Sequence, residues 1–175
     1  MLLYVIGPSQ VGKTTAADTL HERGEIRHTD LDRRLQQATS DAHGASAFPA
    51  WEVAARDWPT IEGVFAELEA QTVGLPLVIT LGAGTQDRDR AHSDHLLESW
   101  LTARRDRVIL VTGDADELYA RSEAHQGSRP RFDHLEYGEP RQRIYRTAAH
   151  EVAFQGADED EAVRRFSECV RSIVN

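Results

Sequence analysis

The chain has 175 residues, of which 40% are apolar and 28% are charged, and its formal net charge is −9. These values predict one soluble domain over residues 1–175 and argue against nucleic-acid or membrane-surface partners, which would need a basic face. The single cysteine, Cys169, excludes an internal disulfide. No apolar stretch is long enough to span a bilayer and no signal peptide is recognised, so we expect a cytoplasmic protein.

Strand and helix signals alternate along the chain, which predicts βα units and a parallel sheet. The predicted elements are strand 2–6, helix 15–23, strand 25–30, helix 31–39, loop 40–49, helix 58–73, strand 77–81, helix 87–103, strand 107–112, helix 114–123, helix 139–150, strand 152–154 and helix 158–175. A polar, turn-rich stretch at about residues 122–137 is a candidate mobile lid. The predicted fold class is therefore α/β.

A phosphate-binding loop lies between the first predicted strand and the first predicted helix. Residues 7–14 read Gly-Pro-Ser-Gln-Val-Gly-Lys-Thr, which is the G-x-x-x-x-G-K-[ST] pattern. Its glycines let the backbone approach a ligand, and its N–H groups and the helix dipole then form a cradle for anions. The predicted nucleotide-binding residues of this loop are Gly7, Ser9, Gln10, Val11, Gly12, Lys13, Thr14 and Thr15.

Lys13 is the only lysine among 20 lysine and arginine residues. A compact ammonium suits a small polyphosphate pocket better than the planar fork of arginine does. We expect Lys13 to bridge the terminal phosphates and the Thr14 hydroxyl to bind Mg²⁺. The alternative, a chance match in a glycine turn, is disfavoured by the strand before the loop and the helix after it.

Asp30 and Asp32 follow the second predicted strand, where the carboxyl ends of parallel strands face the ligand crevice. One carboxylate would hold Mg²⁺ through water, and the other would orient an acceptor hydroxyl or take its proton. The alternative is a helix N-cap, because aspartate caps helices well. Beside a phosphate-binding loop we favour the functional roles.

Glycines and arginines supply further candidates. Gly82-Ala83-Gly84 ends a buried strand and would admit a substrate, although a plain turn is the alternative. Arg121 and Arg129 flank the candidate lid, where a cation could stabilise a phosphoryl group in transfer, unless the loop is merely solvated. Arg141 and Tyr145 lie four residues apart on one helix face. A role in the site is one interpretation of this pair, and the alternatives are a surface pair or the edge of the core.

The order of these motifs resembles shikimate kinase over nearly the whole chain, within the branch of small-molecule kinases that includes gluconate kinases. The matching motifs are the loop at residues 7–14, Asp30-Leu31-Asp32, part of Gly82-Ala83-Gly84, Arg129-Pro130, and Arg141 with Tyr145. The resemblance implies a P-loop NTPase fold, with a five-stranded parallel sheet, helices on both faces and a lid. It also implies an acceptor-binding region at about residues 31–73.

The resemblance implies roles and cofactors as well, namely ATP and Mg²⁺. Lys13 would contact the transferred phosphate, and Thr14 would bind Mg²⁺ with Asp30 holding the ion through water. Asp32 would bind the acceptor hydroxyl and act as the base. These roles describe transfer of a phosphoryl group to a small-molecule hydroxyl.

Three arginines complete the implied site. Arg129 would be the lid arginine at the phosphates. Arg121 would lie against the adenine, and Arg141 would bind an anionic group of the acceptor. The partner implied is a small-molecule hydroxyl acceptor, and we expect the chain to be a monomer or a weak homodimer.

The acceptor side departs from the family pattern. The family's Phe-Arg pair, whose arginine holds the shikimate carboxylate, falls at Trp58-Pro59, and the middle glycine of the triple glycine is Ala83. Losing one charged hydrogen-bonding partner costs about 1.5–3 kcal/mol. Arg56, one helical turn before Pro59, is a candidate replacement. We therefore expect an ATP-dependent kinase of a different small polar metabolite; the alternatives are a genuine shikimate kinase and a non-catalytic nucleotide-binding regulatory module.

Overall fold

The computed structural model describes residues 1–43, 58–71, 73–82, 91–126 and 139–175. Within these ranges a single five-stranded sheet has the order β2-β3-β1-β4-β5, and every neighbouring pair is parallel. The strands are β1 (Leu2–Ile6), β2 (Arg27–Asp30), β3 (Leu77–Thr80), β4 (Val108–Thr112) and β5 (His150–Ala153). The predicted α/β class and parallel five-stranded sheet are confirmed.

Helices follow the strands, as parallel connections require. They are α1 (Lys13–Glu22), α2 (Leu31–His43), α3 (Trp58–Ala70), α4 (Ala91–Thr102), α5 (Ala115–Gln126), α6 (Glu139–Tyr145) and α7 (Glu159–Val174), with a short 3₁₀ turn at Arg105–Arg107. None of the helices in the described ranges is long and apolar enough to cross a membrane.

Two hydrophobic clusters cover the two faces of the sheet. Alternate residues of β1 point to opposite faces, so Tyr4 joins one cluster and Val5 joins the other. Residues of α2, α3, α4 and α6 pack in the first cluster, and residues of α1, α5 and α7 pack in the second. Cys169 packs against the second cluster, where burial raises the pKa of its thiol. This favours the structural role of Cys169 over a reactive one.

Several predicted boundaries are wrong, among them those of strands 25–30 and 152–154 and the end of helix 58–73, and two errors are larger. The helix predicted at 139–150 ends at Tyr145, because the Thr147 hydroxyl donates to the Ile144 carbonyl (2.6 Å) and His150 begins β5 beside β4. The loop predicted from residue 40 begins later, since α2 continues to His43 without meeting a glycine or a proline. The remainder of that predicted loop, residues 44–49, lies outside the described residues.

The parallel arrangement brings four chain segments to one edge of the sheet. β1 leads into the loop at residues 7–12, β2 ends at Asp30, β3 ends at Thr80 and β4 ends at Thr112. All four strands point the same way, so these segments meet at the carboxyl edge, where open α/β sheets bind their ligands.

Candidate active site

The loop from Gly7 to Gly12 has three positive φ angles, at Gly7, Gln10 and Gly12. Gly7 has φ 142°, and a Cβ built there would lie 2.2 Å from the Val111 carbonyl oxygen of β4, so only glycine fits. Gly12 is the left-handed N-cap of α1, with φ 92°. Gln10 also has a positive φ, of 59°, which the sequence did not indicate.

The side chain of Lys13 packs against this loop. Its side chain is buried, with 7% of the residue exposed, and its ammonium donates to the carbonyls of Gly7 (2.8 Å) and Pro8 (2.6 Å). The first turn of α1 contains no acidic residue, so the positive end of its dipole is not neutralised there. A buried ammonium and an uncompensated helix N-terminus therefore lie together at this loop.

Asp30 caps a helix, one of the two alternatives that the sequence left open, and it also contacts the phosphate-binding loop. One carboxylate oxygen, Oδ1, accepts from the backbone N–H of Arg33 (3.0 Å) and so caps the start of α2. The other oxygen, Oδ2, lies 3.4 Å from the Thr14 hydroxyl, which donates to it. The cap holds the carboxylate in place while Oδ2 faces the phosphate-binding loop.

Asp32 lies against the end of β3. A Cβ built on Gly82 would fall 2.0 Å from Asp32 Oδ2, so the carboxylate occupies the space that any other residue at position 82 would need. Asp32 and Gly82, both predicted to bind the acceptor, are therefore in direct proximity. Ala83 and Gly84, the other members of that motif, lie outside the described residues.

A cleft of about 380 Å³ opens beside the phosphate-binding loop. It is bordered by the loop and the start of α1, by Arg121 of α5, and by the connection from β5 to α7. The lining residues include Gln10, Val11, Gly12, Thr15, Arg121, Phe154, Ala157 and Asp158. The structure thus places Arg121 across a cleft from the loop, a position from which it can contact a ligand that extends out of the cradle.

Two of the residues predicted to bind the acceptor begin or lie on α3 and α6, namely Trp58 and Arg141. Arg141 is 4% exposed, and it and Lys13 are the two charged side chains that are buried among the residues assigned a burial class. Trp58 is half-buried and packs against the hydrophobic cluster, whereas Pro59 beside it is exposed. Arg56 and the lid arginine Arg129 lie outside the described residues, as does most of the predicted lid; residues 122–126 belong to α5.

The candidate donors for a cation near the loop are the Thr14 hydroxyl and the Asp30 carboxylate. Within the described part of the chain no group of three or more His, Cys, Asp or Glu side chains could hold a metal ion. A divalent ion near the loop would therefore depend on Thr14 and Asp30 together with oxygen atoms of a ligand. Hard oxygen donors of this kind suit Mg²⁺, which keeps several of its waters.

The sequence analysis missed two parts of this site. Thr80 is 1% exposed and its hydroxyl lies 3.4 Å from Asp30 Oδ2; the signal was its position as the one polar residue in the apolar run 77–81. The second part is the wall of the cleft formed by Phe154, Ala157 and Asp158. No local pattern marks those three residues, which reach the loop only through the packing of β5 and α7.

A glycine-rich loop that joins β1 to α1, in a parallel sheet of order β2-β3-β1-β4-β5, defines the P-loop NTPase fold. Solved structures share it over almost the whole chain. Among them are shikimate kinase from Aquifex aeolicus (TM-score 0.61, 18% identity, 99% of this chain and 98% of that one) and shikimate kinase from Bacteroides thetaiotaomicron (0.59, 14%, 98% and 98%). Another is the tunicamycin resistance protein from Deinococcus radiodurans (0.61, 16%, 99% and 95%).

The predicted likeness to the shikimate kinase-like branch of P-loop kinases is thus confirmed in the fold. At these identities a structural likeness establishes the fold and not the substrate. No family model matches the sequence, and no curated protein matches it.

Proposed function

We propose that this protein is a kinase that transfers the terminal phosphoryl group of ATP to a hydroxyl of a small polar metabolite. The observation that carries the proposal is the meeting of two groups at one sheet edge. The Lys13 ammonium is held in the phosphate cradle, and the Asp32 carboxylate lies against Gly82 at the end of β3. A nucleotide site alone would need only the first of these groups.

ATP fits the cradle and the adjoining cleft. Its phosphates would accept from the backbone N–H groups of residues 9–14 and from Lys13, while its base would extend into the cleft toward Arg121. Thr14 and Asp30, whose oxygens are 3.4 Å apart, are suitable donors for Mg²⁺, directly through the hydroxyl and through water at the carboxylate. When bound, that ion would neutralise charge on the phosphates.

The transfer itself would be in line, with no covalent enzyme intermediate. The acceptor oxygen forms a bond to the terminal phosphorus as the bond from that phosphorus to the bridging oxygen breaks, and ADP leaves. Asp32 accepts the hydroxyl proton. Lys13 stabilises the charge that spreads over the oxygen atoms of the transferred group. Arg129, at the predicted lid, would add a second cation when the lid closes.

The acceptor is a polar compound with an anionic group, which Arg141 would bind from its buried position on α6. It is not expected to be shikimate, because the exposed Pro59 occupies the position where the shikimate kinase pattern has an arginine. The structural neighbours, shikimate kinases among them, support the fold and do not determine the acceptor.

The test is release of ADP in a coupled assay with Mg²⁺ and ATP across a panel of cyclitols, sugar acids, other hydroxylated metabolites and shikimate. We expect saturable turnover with one acceptor class, and at least a hundredfold lower kcat for Asp32→Asn with that acceptor. Sub-millimolar turnover of shikimate would instead identify a shikimate kinase. Tight binding of ATP without ADP release on any acceptor would favour the regulatory module.

A further inference from the structure

A second cavity, of about 450 Å³, lies along β2, the outermost strand on one side of the described sheet. Its walls come from α1, β2, α2, β3 and the end of α3. It shares no lining residue with the cleft beside the phosphate-binding loop. Its volume is typical of sites that hold small organic molecules.

The lining of this cavity is cationic, although the chain as a whole has a formal net charge of −9. Arg27 of β2 and two arginines of α2, Arg33 and Arg34, line it. Among the described lining residues the one carboxylate is Asp30, whose oxygens already accept from the Arg33 N–H and the Thr14 hydroxyl. The cavity is therefore a local positive region on an acidic protein.

Two of the three arginines lack a counter-charge. Arg34 pairs with Glu67, but in the described part of the chain neither Arg27 nor Arg33 forms an ion pair. Arg27 Nη2 donates to the Gln71 carbonyl (2.6 Å), while its Nε is buried with no hydrogen-bond partner among the described residues. The side chain of Arg33 is exposed. An added oxyanion would supply the charge and acceptors that these guanidinium groups lack.

The chemistry of the lining defines the class of ligand. A guanidinium group binds a carboxylate or a phosphate through two parallel hydrogen bonds, with more directional selectivity than an ammonium has. Leu68 and Leu77 add apolar surface to the same cavity. A bare inorganic ion would leave much of a 450 Å³ space unfilled, so an organic anion fits better.

We propose that the cavity along β2 is a second ligand site, which binds a small organic carboxylate or phosphate through Arg27 and Arg33. A ligand held by these two residues joins β2 to the start of α2, the segment that carries Asp30 and Asp32. The site adjoins the proposed catalytic carboxylates without using the phosphate-binding loop. The inference does not depend on the proposed kinase activity.

The test is isothermal titration calorimetry with benzoate, phenyl phosphate and inorganic phosphate, in about 0.15 M NaCl to screen diffuse attraction. We expect benzoate or phenyl phosphate to bind saturably, with a Kd below about 1 mM, and inorganic phosphate to bind more weakly. The two aromatic probes differ in their anionic group, so they show which group the site prefers. Arg27→Gln and Arg33→Gln should each weaken binding about tenfold or more.

Two control variants separate this site from other sources of anion binding. Lys13→Met alters the phosphate-binding loop, which also attracts anions, and should leave the affinity within about twofold of wild type. Arg23→Gln makes the same change in net charge at an exposed arginine that does not line the cavity, and should likewise have little effect. Arg33→Gln keeps the backbone N–H that Asp30 accepts from, so it covers the case in which Arg27→Gln folds poorly.

Three results would overturn the inference. The first is no saturable binding of any probe up to about 10 mM. The second is binding that Lys13→Met removes and Arg33→Gln retains, which would assign the anion to the phosphate-binding loop. The third is an equal loss in Arg23→Gln and Arg33→Gln, which would indicate diffuse charge. All three leave the proposed kinase activity intact, because that activity is measured separately as ADP release.

Discussion

The nucleotide side and the acceptor side of this molecule are built in different ways. The nucleotide side centres on a contiguous loop, residues 7–14, whose conformation follows from its own glycines and from β1 and α1 on either flank. The proposed acceptor side draws on Asp32 of α2, Trp58 of α3, Gly82 after β3 and Arg141 of α6. The loop therefore depends on its own residues and its two flanking elements, whereas the proposed acceptor side depends on how several helices pack.

The largest expected effect comes from removing the cation of the nucleotide side. Lys13→Met keeps the length of a buried side chain but removes the ammonium that now bonds to the carbonyls of Gly7 and Pro8. We expect kcat to fall by about a hundredfold to a thousandfold, the cost of one donor that stabilises transition-state charge. The measurement is coupled ADP release, with circular dichroism to confirm the fold.

Arg141→Met is the matched control, because Arg141 is the other buried cation. It should raise the KM for the acceptor while nucleotide affinity stays within about twofold of wild type, since its charge would face the acceptor and not ATP. If Arg141→Met weakened nucleotide binding as much as Lys13→Met did, the division of the site into two sides would be wrong.

The contrast also explains what the sequence predicted and what it did not. The loop between β1 and α1 and the position of Asp30 at the same sheet edge followed from short motifs at the ends of predicted strands. The positive φ of Gln10 did not, because a non-glycine residue rarely takes that conformation and nothing in the local sequence marks it. Thr80 was passed over as part of an apolar run, although its hydroxyl is the contact between His28 and Asp30.

Long-range packing accounts for most of the other misses. The cleft beside the loop uses Phe154 and Asp158, which are more than a hundred residues away in sequence and come close only because β5 completes the sheet. The predicted end of α6 was too late because His150 pairs with β4 as the first residue of β5. This is a tertiary interaction, and a helical pattern in the sequence does not indicate it. Arg56, Arg129, Ala83 and Gly84 stay predictions.

An effect of middle size is expected at Gly82 on the acceptor side. In Gly82→Ala the new methyl would overlap Asp32 Oδ2 at 2.0 Å, but that oxygen ends a side chain that can rotate away. We therefore expect the melting temperature to change by only about 2 °C and kcat to fall about tenfold or more because the base is displaced. ADP release and a thermal melt measure the two quantities.

Gly7→Ala is the counterpart on the nucleotide side and should behave in the opposite way. Its methyl would meet the Val111 carbonyl oxygen at 2.2 Å, which is backbone of a central strand and cannot rotate aside, and φ at Gly7 is 142°. The melting temperature should fall clearly in this variant. Equal melting temperatures for the two alanine variants would contradict the assignment of a rigid loop and an adjustable acceptor side.

The smallest expected effect concerns Glu25, which joins the segment between α1 and β2 to α7. Its carboxylate accepts from Arg171 (2.8 Å) and Ser167 (3.0 Å) of α7, the helix that lines the cleft with Ala162 and Val163. The hydrogen bond from Arg171, opposed by desolvation and aided by Ser167, lowers the pKa of Glu25. We expect Glu25→Gln to reduce the free energy of unfolding at neutral pH by about 0.5–1 kcal/mol, because the arginine is mostly exposed.

The sign of the pH dependence makes this small effect testable. A carboxyl whose folded pKa is depressed contributes stability above its unfolded pKa of about 4.3 and loses that contribution as the pH falls through the folded value. The difference between wild type and Glu25→Gln in urea unfolding should therefore be full at pH 7 and vanish in acid. Glu168→Gln, which breaks an exposed pair with Arg164 inside α7, is the control and should cost less, because that pair joins no second element. A gap between wild type and Glu25→Gln that persisted unchanged below the folded pKa would show that the glutamate acts through packing and not through its charge.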